Sequence, residues 1–128
     1  MKSILNKAIN GNASAQLKVA LHYIWGSDGF RKSERLARIW YKKSAINGNA
    51  EAMFNLGTMC LEGDGGKVDT NAGIQWLKKS AQSKKKHLFS SGAPSLLSTI
   101  YRNGLFGVEV DMIESKKWKK LSHQRKDG

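Results

Sequence analysis

The phrase WYKKSA at residues 40–45 returns as WLKKSA at 76–81. A short chain that writes one phrase twice has a repeating framework, and the framework limits every other reading. The alignment extends well beyond the phrase. The segments AQLKVALHYIWG (15–26), AMFNLGTMCLEG (52–63) and APSLLSTIYRNG (93–104) are equal in length. Each opens on a small residue (Ala15, Ala52, Ala93), has an aliphatic four places on (Val19, Leu56, Leu97), then Tyr23, Cys60 or Tyr101, and closes on glycine. Spacing of i, i+4, i+8 is the apolar stripe of an amphipathic helix, and the glycine is its stop signal.

The connecting loops align as well. GFRKS (29–33), GGKVD (65–69) and GVEVD (107–111) each end in a residue suited to cap a helix, Ser33, Asp69 or Asp111. Glu114, three residues after Asp111, predicts a capping box there. After each cap comes a helix that carries Trp40, Trp76 or Trp118. Two helices per unit of this length describe an α-solenoid, in which no unit buries its apolar face alone.

The pattern Ala-x3-Leu-Gly-x2-Tyr-x2-Gly, then Gly-Val-x2-Asp, then Ala-x2-Trp-Tyr-x-Lys-(Ser/Ala)-Ala resembles the Sel1-like repeat, a relative of the tetratricopeptide repeat. AMFNLGTMCLEG (52–63) and LARIWYKKSAINGN (36–49) carry it best. The resemblance implies an all-α fold, a right-handed α-solenoid of about three helix-pair repeats. Residues 1–128 read as one domain, with a partial unit at 1–10 and repeats at about 11–47, 48–82 and 88–124. The third unit departs from the pattern: about five residues are inserted near QSKKKHLFSS (82–91), and His123 stands where Ala45 and Ala81 close the earlier units. Its second helix is expected to act as a polar cap or to fray. The three tryptophans are read as core. Gly57 is read as a close helix–helix contact, with Ala20 and Ser98 as its small equivalents.

The residues offer little catalytic chemistry. His22, His87 and His123 fall in different units, and no HExxH or CxxC motif is present. Cys60 occupies a tyrosine place in the repeat, which points to burial. The loop EGDGGKVD (62–69) lacks both the ligand alternation of an EF-hand and the Lys-Ser/Thr of a phosphate loop. The expectation is a non-enzyme without metal or cofactor. A single cysteine fits a reducing compartment. With no apolar run long enough for a signal or a span, the expected location is cytoplasmic, away from membranes.

Binding is the remaining class. In the tetratricopeptide architecture the first helix of each pair lines the concave face, and the resemblance carries this over by position. It puts Glu51, Phe54, Thr58, Leu61 and Glu62 on the groove, with Ser14, Leu17, Leu21, Ile24 and Trp25 before them and Gly92, Ser95, Thr99, Arg102 and Asn103 after. Trp25 and Phe54 stand out as anchors, since tryptophan and other aromatics concentrate binding energy at interfaces. The formal net charge is +12, and residues 65–128 hold 13 basic against 5 acidic residues. Lys42, Lys43, Lys78, Lys79, Lys116, Lys117, Lys119 and Lys120 fall on second helices, the outer face, and Lys84, Lys85 and Lys86 on the insertion. Such a face suits an acidic partner through steering of association.

Members of the resembling family are typically adaptors, and some bacterial ones are immunity proteins. The reading is therefore a protein–protein interaction module. It leans to a cytosolic immunity or inhibitor protein that neutralises a cognate toxin, with an adaptor holding a peptide or helix as the alternative. Nucleic acid ranks below both, because the charges lie outside while the aromatics sit on repeat positions.

Overall fold

In the computed structural model the described residues are 2–83 and 92–127, with side chains described for 3–83 and 92–123. They form seven α-helices: α1 (Lys2–Ile9), α2 (Ala13–Trp25), α3 (Glu34–Ile46), α4 (Ala50–Glu62), α5 (Thr70–Ala81), α6 (Gly92–Asn103) and α7 (Met112–Asp127). A single 3-10 turn, Leu105–Gly107, lies between α6 and α7. Each helix packs on its neighbours in sequence, and α2–α3, α4–α5 and α6–α7 form the tightest pairs. This is an all-α solenoid of helix pairs.

Local chemistry sets the helix ends. Gly26, Gly63 and Gly104 stop the first helices in the left-handed region, at φ of 66°, 77° and 65°, where a Cβ is costly. Ser33 and Asp69 cap α3 and α5 by accepting from Leu36 N and Ala72 N. Asp111 caps α7, accepting from Ile113 N at 3.1 Å and Glu114 N at 3.0 Å. The reciprocal half of the predicted capping box does not form. The Asp111 N–H donates to the Tyr101 carbonyl instead, and the Glu114 carboxylate accepts from Trp118 Nε1 at 3.0 Å. Trp118 has an indole N–H to satisfy on burial, and Glu114, one turn earlier, is placed to do it.

The repeated INGNA (9–13 and 46–50) makes the turn between units. Gly11 and Gly48 have φ of 96° and 95°. Their N–H groups donate to the Ala8 and Ala45 carbonyls, while Asn12 and Asn49 donate to Lys7 and Ser44, the double closure of a Schellman end. The Asn12 and Asn49 side chains then cap α2 and α4, each accepting at 2.8 Å from Ala15 N and Ala52 N.

The repeated phrase has a division of labour. Its serine is buried and donates to the first carbonyl of its partner helix, Ser44 to Ala13 at 2.7 Å and Ser80 to Ala50 at 2.9 Å. Its second lysine lies over its tryptophan, Lys43 over Trp40 at 5.6 Å and Lys79 over Trp76 at 4.8 Å. Expectation and structure differ here for two of the three tryptophans. Trp118 is buried (1% exposed), but Trp40 and Trp76 are half-buried, with one ring face to the core and the other under a lysine.

Small residues set the spacing within pairs. A Cβ on Gly57 would stand 3.0 Å from the Gly73 carbonyl, and one on Gly73 would stand 2.8 Å from Leu61 Cγ. The equivalent places hold Ala20 with Ala37, and Ser98 with Ser115, whose hydroxyls lie 3.1 Å apart. Gly57 is thus a close-contact residue, as its place in the repeat predicts.

Candidate protein-binding surfaces

The expected groove residues separate into two groups. Leu17, at one place of the repeat, is buried in the core between α2, α3 and α4. Phe54, at the same place one unit on, packs on the core of the next pair and against Gly92. Ile24 packs on the core that α2 and α3 share with α4, and Leu61 is 4% exposed against Gly73 of its own pair. Leu61 is therefore a core residue and not a groove residue, and Phe54 is half-covered by the following unit. These two places per helix serve the packing within pairs and between units. An apolar stripe wide enough to serve both the partner helix and the next unit looks from sequence like a groove.

Glu51, Thr58 and Glu62 lie beside that stripe. Glu51 and Thr58 are half-buried and Glu62 is exposed. A hydrogen bond with Asp64, and then burial, push the Glu62 carboxyl above its ordinary value. In the first unit the corresponding residues are Ser14, Leu21 and Trp25. Leu21 is half-buried, and Trp25 is 76% exposed at the last turn of α2.

Arg102 falls in neither group. With Ser95, Thr99, Lys119, Ser122 and His123 it lines a polar cleft of about 190 Å³ between α6 and α7. This face occupies the places where Phe54, Leu61, Leu77 and Ala81 meet neighbours one unit earlier.

Of the basic residues predicted to bind, Lys116, Lys117 and Lys120 are exposed on α7, with Lys117 over the Trp118 ring at 5.0 Å. Lys84, Lys85 and Lys86 lie outside the described residues, as does His87. Residues that the repeat pattern did not single out also bear on this side. Arg38 on α3 donates to the Asp64 carbonyl at 3.2 Å and the Lys67 carbonyl at 2.8 Å, and approaches Cys60 Sγ at 3.6 Å. It thereby ties the loop of the second unit to the helix of the first. Cys60 is buried, and burial pushes its thiol up despite Arg38. Among the described residues no three His, Cys, Asp or Glu side chains are grouped to hold a metal ion, and no helix is long and apolar enough to cross a membrane.

A stack of helix pairs of this kind presents extended side-chain surfaces along its faces. The Sel1 repeat model matches residues 13–49, 50–84 and 95–120, and the chain belongs to the Sel1 repeat family. Its backbone is similar to that of c5321, a protective antigen of uropathogenic Escherichia coli strains that displays an SLR fold. The TM-score is 0.82 at 28% identity, over 95% of this chain and 25% of that one. It is also similar to a Sel1 repeat protein from Oxalobacter formigenes, with a TM-score of 0.80 at 26% identity, over 94% of this chain and 47% of that one. The chain thus spans about a quarter and about half the length of these two proteins. Proteins of this family generally mediate protein–protein interaction.

Proposed function

We propose that this chain is a non-catalytic module that binds a protein partner with an acidic surface, using the side of the first helices around Trp25. The carrying observation is Trp25 itself, 76% exposed on a well-formed helix end. Exposing a tryptophan forgoes roughly 2 kcal/mol or more of burial, and interfaces draw much of their energy from such residues. The exposed lysines of α3, α5 and α7 steer an acidic partner toward the molecule.

The narrower form of the proposal is a cytoplasmic inhibitor or immunity role, in which the partner is a cognate toxin; the adaptor role is its rival. Affinity capture with the tagged chain at moderate and high salt tests both. A single protein held one-to-one at high salt, and lost on Trp25→Ala, is the expected result. An assay of that protein's activity then separates the roles, since an inhibitor abolishes it and an adaptor leaves it intact. Retention of nucleic acid alone, falling steeply as salt rises, would overturn the proposal.

A further inference from the structure

The second unit departs from its neighbours at one internal place. Tyr23 packs edge-on against Phe30, with ring centroids 5.0 Å apart. Tyr101 lies under Lys78 of the preceding unit, whose Nζ is 5.6 Å from the ring centroid. The equivalent residue is Cys60, and where Phe30 and Val108 supply apolar cover in the other loops the second has Gly66, with no side chain. A cleft of about 250 Å³ remains between α3 and α5. Its floor is Leu56 and Cys60, Trp76 and Ala72 form the α5 wall, and Ile39 lies on α3. Lys42, the equivalent of Lys78, stands on the α3 rim with Arg35 and Arg38. The one acidic residue of the lining, Asp69, has its carboxylate on Ala72 N as a helix cap.

We propose that this cleft is a second binding site, on the side of the second helices, for an aromatic side chain flanked by acidic residues on a protein partner. The space is that of a ring the other units provide for themselves, and an apolar cavity of about 150 Å³ already accepts benzene. The half-buried Trp76 ring offers a stacking wall. Arg35 and Lys42 are exposed one turn to either side of Arg38, in reach of carboxylates flanking the inserted ring. Arg38 is committed to the loop carbonyls and serves as the fixed edge of the site. The site is distinct from the Trp25 surface.

The test uses fluorescence anisotropy with a labelled peptide Gly-Asp-Glu-Phe-Glu-Asp and its Phe→Ala counterpart. Cys60→Tyr supplies the ring from within, as the first and third units do. Arg35→Glu with Lys42→Glu reverses two exposed charges and leaves the core untouched. Saturable binding of the Phe peptide is expected. It should weaken about tenfold or more in either variant and with the Ala peptide, and stay unchanged in Trp25→Ala. Circular dichroism melting confirms that the variants fold. No saturable binding, equal binding of the Ala peptide, or full binding by folded Cys60→Tyr would each overturn the proposal. So would tight binding of a single-stranded oligonucleotide that Cys60→Tyr abolishes, which would give the cleft to a nucleic-acid base. Since Trp25→Ala and Cys60→Tyr report on separate surfaces, failure of the cleft leaves the first-helix proposal standing.

Discussion

Tyr41 shows how one repeat position acquires different chemistry in each unit. Its equivalents are Leu77, fully buried, and Lys119, exposed on the last pair. Burial, and secondarily the Glu51 carboxylate, push the Tyr41 phenol up from its ordinary value of 10.0 to about 12. The unfolded phenol ionises near pH 10 while the folded one keeps its proton, so the folded state binds more protons between the two values. The sign follows directly: Tyr41 costs nothing below pH 10, and stability falls as pH rises from there toward 12. Ultraviolet titration should show a late tyrosine ionisation step well above pH 10. Tyr41→Phe should remove the late step and flatten the alkaline loss of stability. The presence of an aromatic here is legible in WYKKSA. Its proximity to Glu51 is not, because that contact joins two units.

At the level of the helix, small residues do more than propensity would suggest. Glycine inside a helix costs about 1 kcal/mol relative to alanine, so local grounds alone predict that Gly73→Ala stabilises α5. The tertiary contact decides the opposite. A Cβ there would stand 2.8 Å from Leu61 Cγ and 2.9 Å from the Gly57 carbonyl, one of them backbone that cannot turn aside. Gly73→Ala is therefore expected to lower stability by about 1–3 kcal/mol, the range of an overpacked core, as read by urea unfolding. Gly57 could be picked out from its place in a recognised pattern. Its partner could not, since only the crossing of α4 and α5 brings the two together. The capping box that the spacing at Asp111 predicts does not close, because Glu114 is taken by the indole of Trp118 one turn on.

Across the whole molecule, the same four places differ in chemistry between the second pair and the third. Phe54, Leu61, Leu77 and Ala81 meet neighbours, whereas Ser95, Arg102, Lys119 and His123 line a polar cleft. A repeat face that stands open must stay wetted or it will seek another surface to cover it. Arg102→Leu with Lys119→Leu restores the residue types of the inner units. It is expected to sediment as a larger species than the unaltered chain at equal concentration, and unchanged sedimentation would refute this account of the face. The run from apolar to polar along the first helices, visible in the sequence, thus reflects the stacking order. On α2, α4 and α6 the large apolar residue left in solvent is Trp25.

The sequence by itself determined the helices, their caps and stops, and their pairing, because these depend on residues within a turn or two of one another. Apolar periodicity, an Asn, Ser or Asp cap before α2, α3, α4, α5 and α7, and a left-handed glycine after α2, α4 and α6 act locally, and repetition makes each signal checkable against its copies. Tertiary structure alone decided which apolar residues are free. Leu61 and Trp25 lie on one helical arc of the repeat, yet one is buried by Gly73 and the other stands in solvent. Helical spacing sets an angle but not the distance of the neighbour that closes it. The cleft beside Cys60 follows from the same limit. A void depends on the summed volume of side chains from three helices, and Cys60 in a tyrosine place reads as an ordinary buried cysteine until α3 and α5 are seen to stand apart above it.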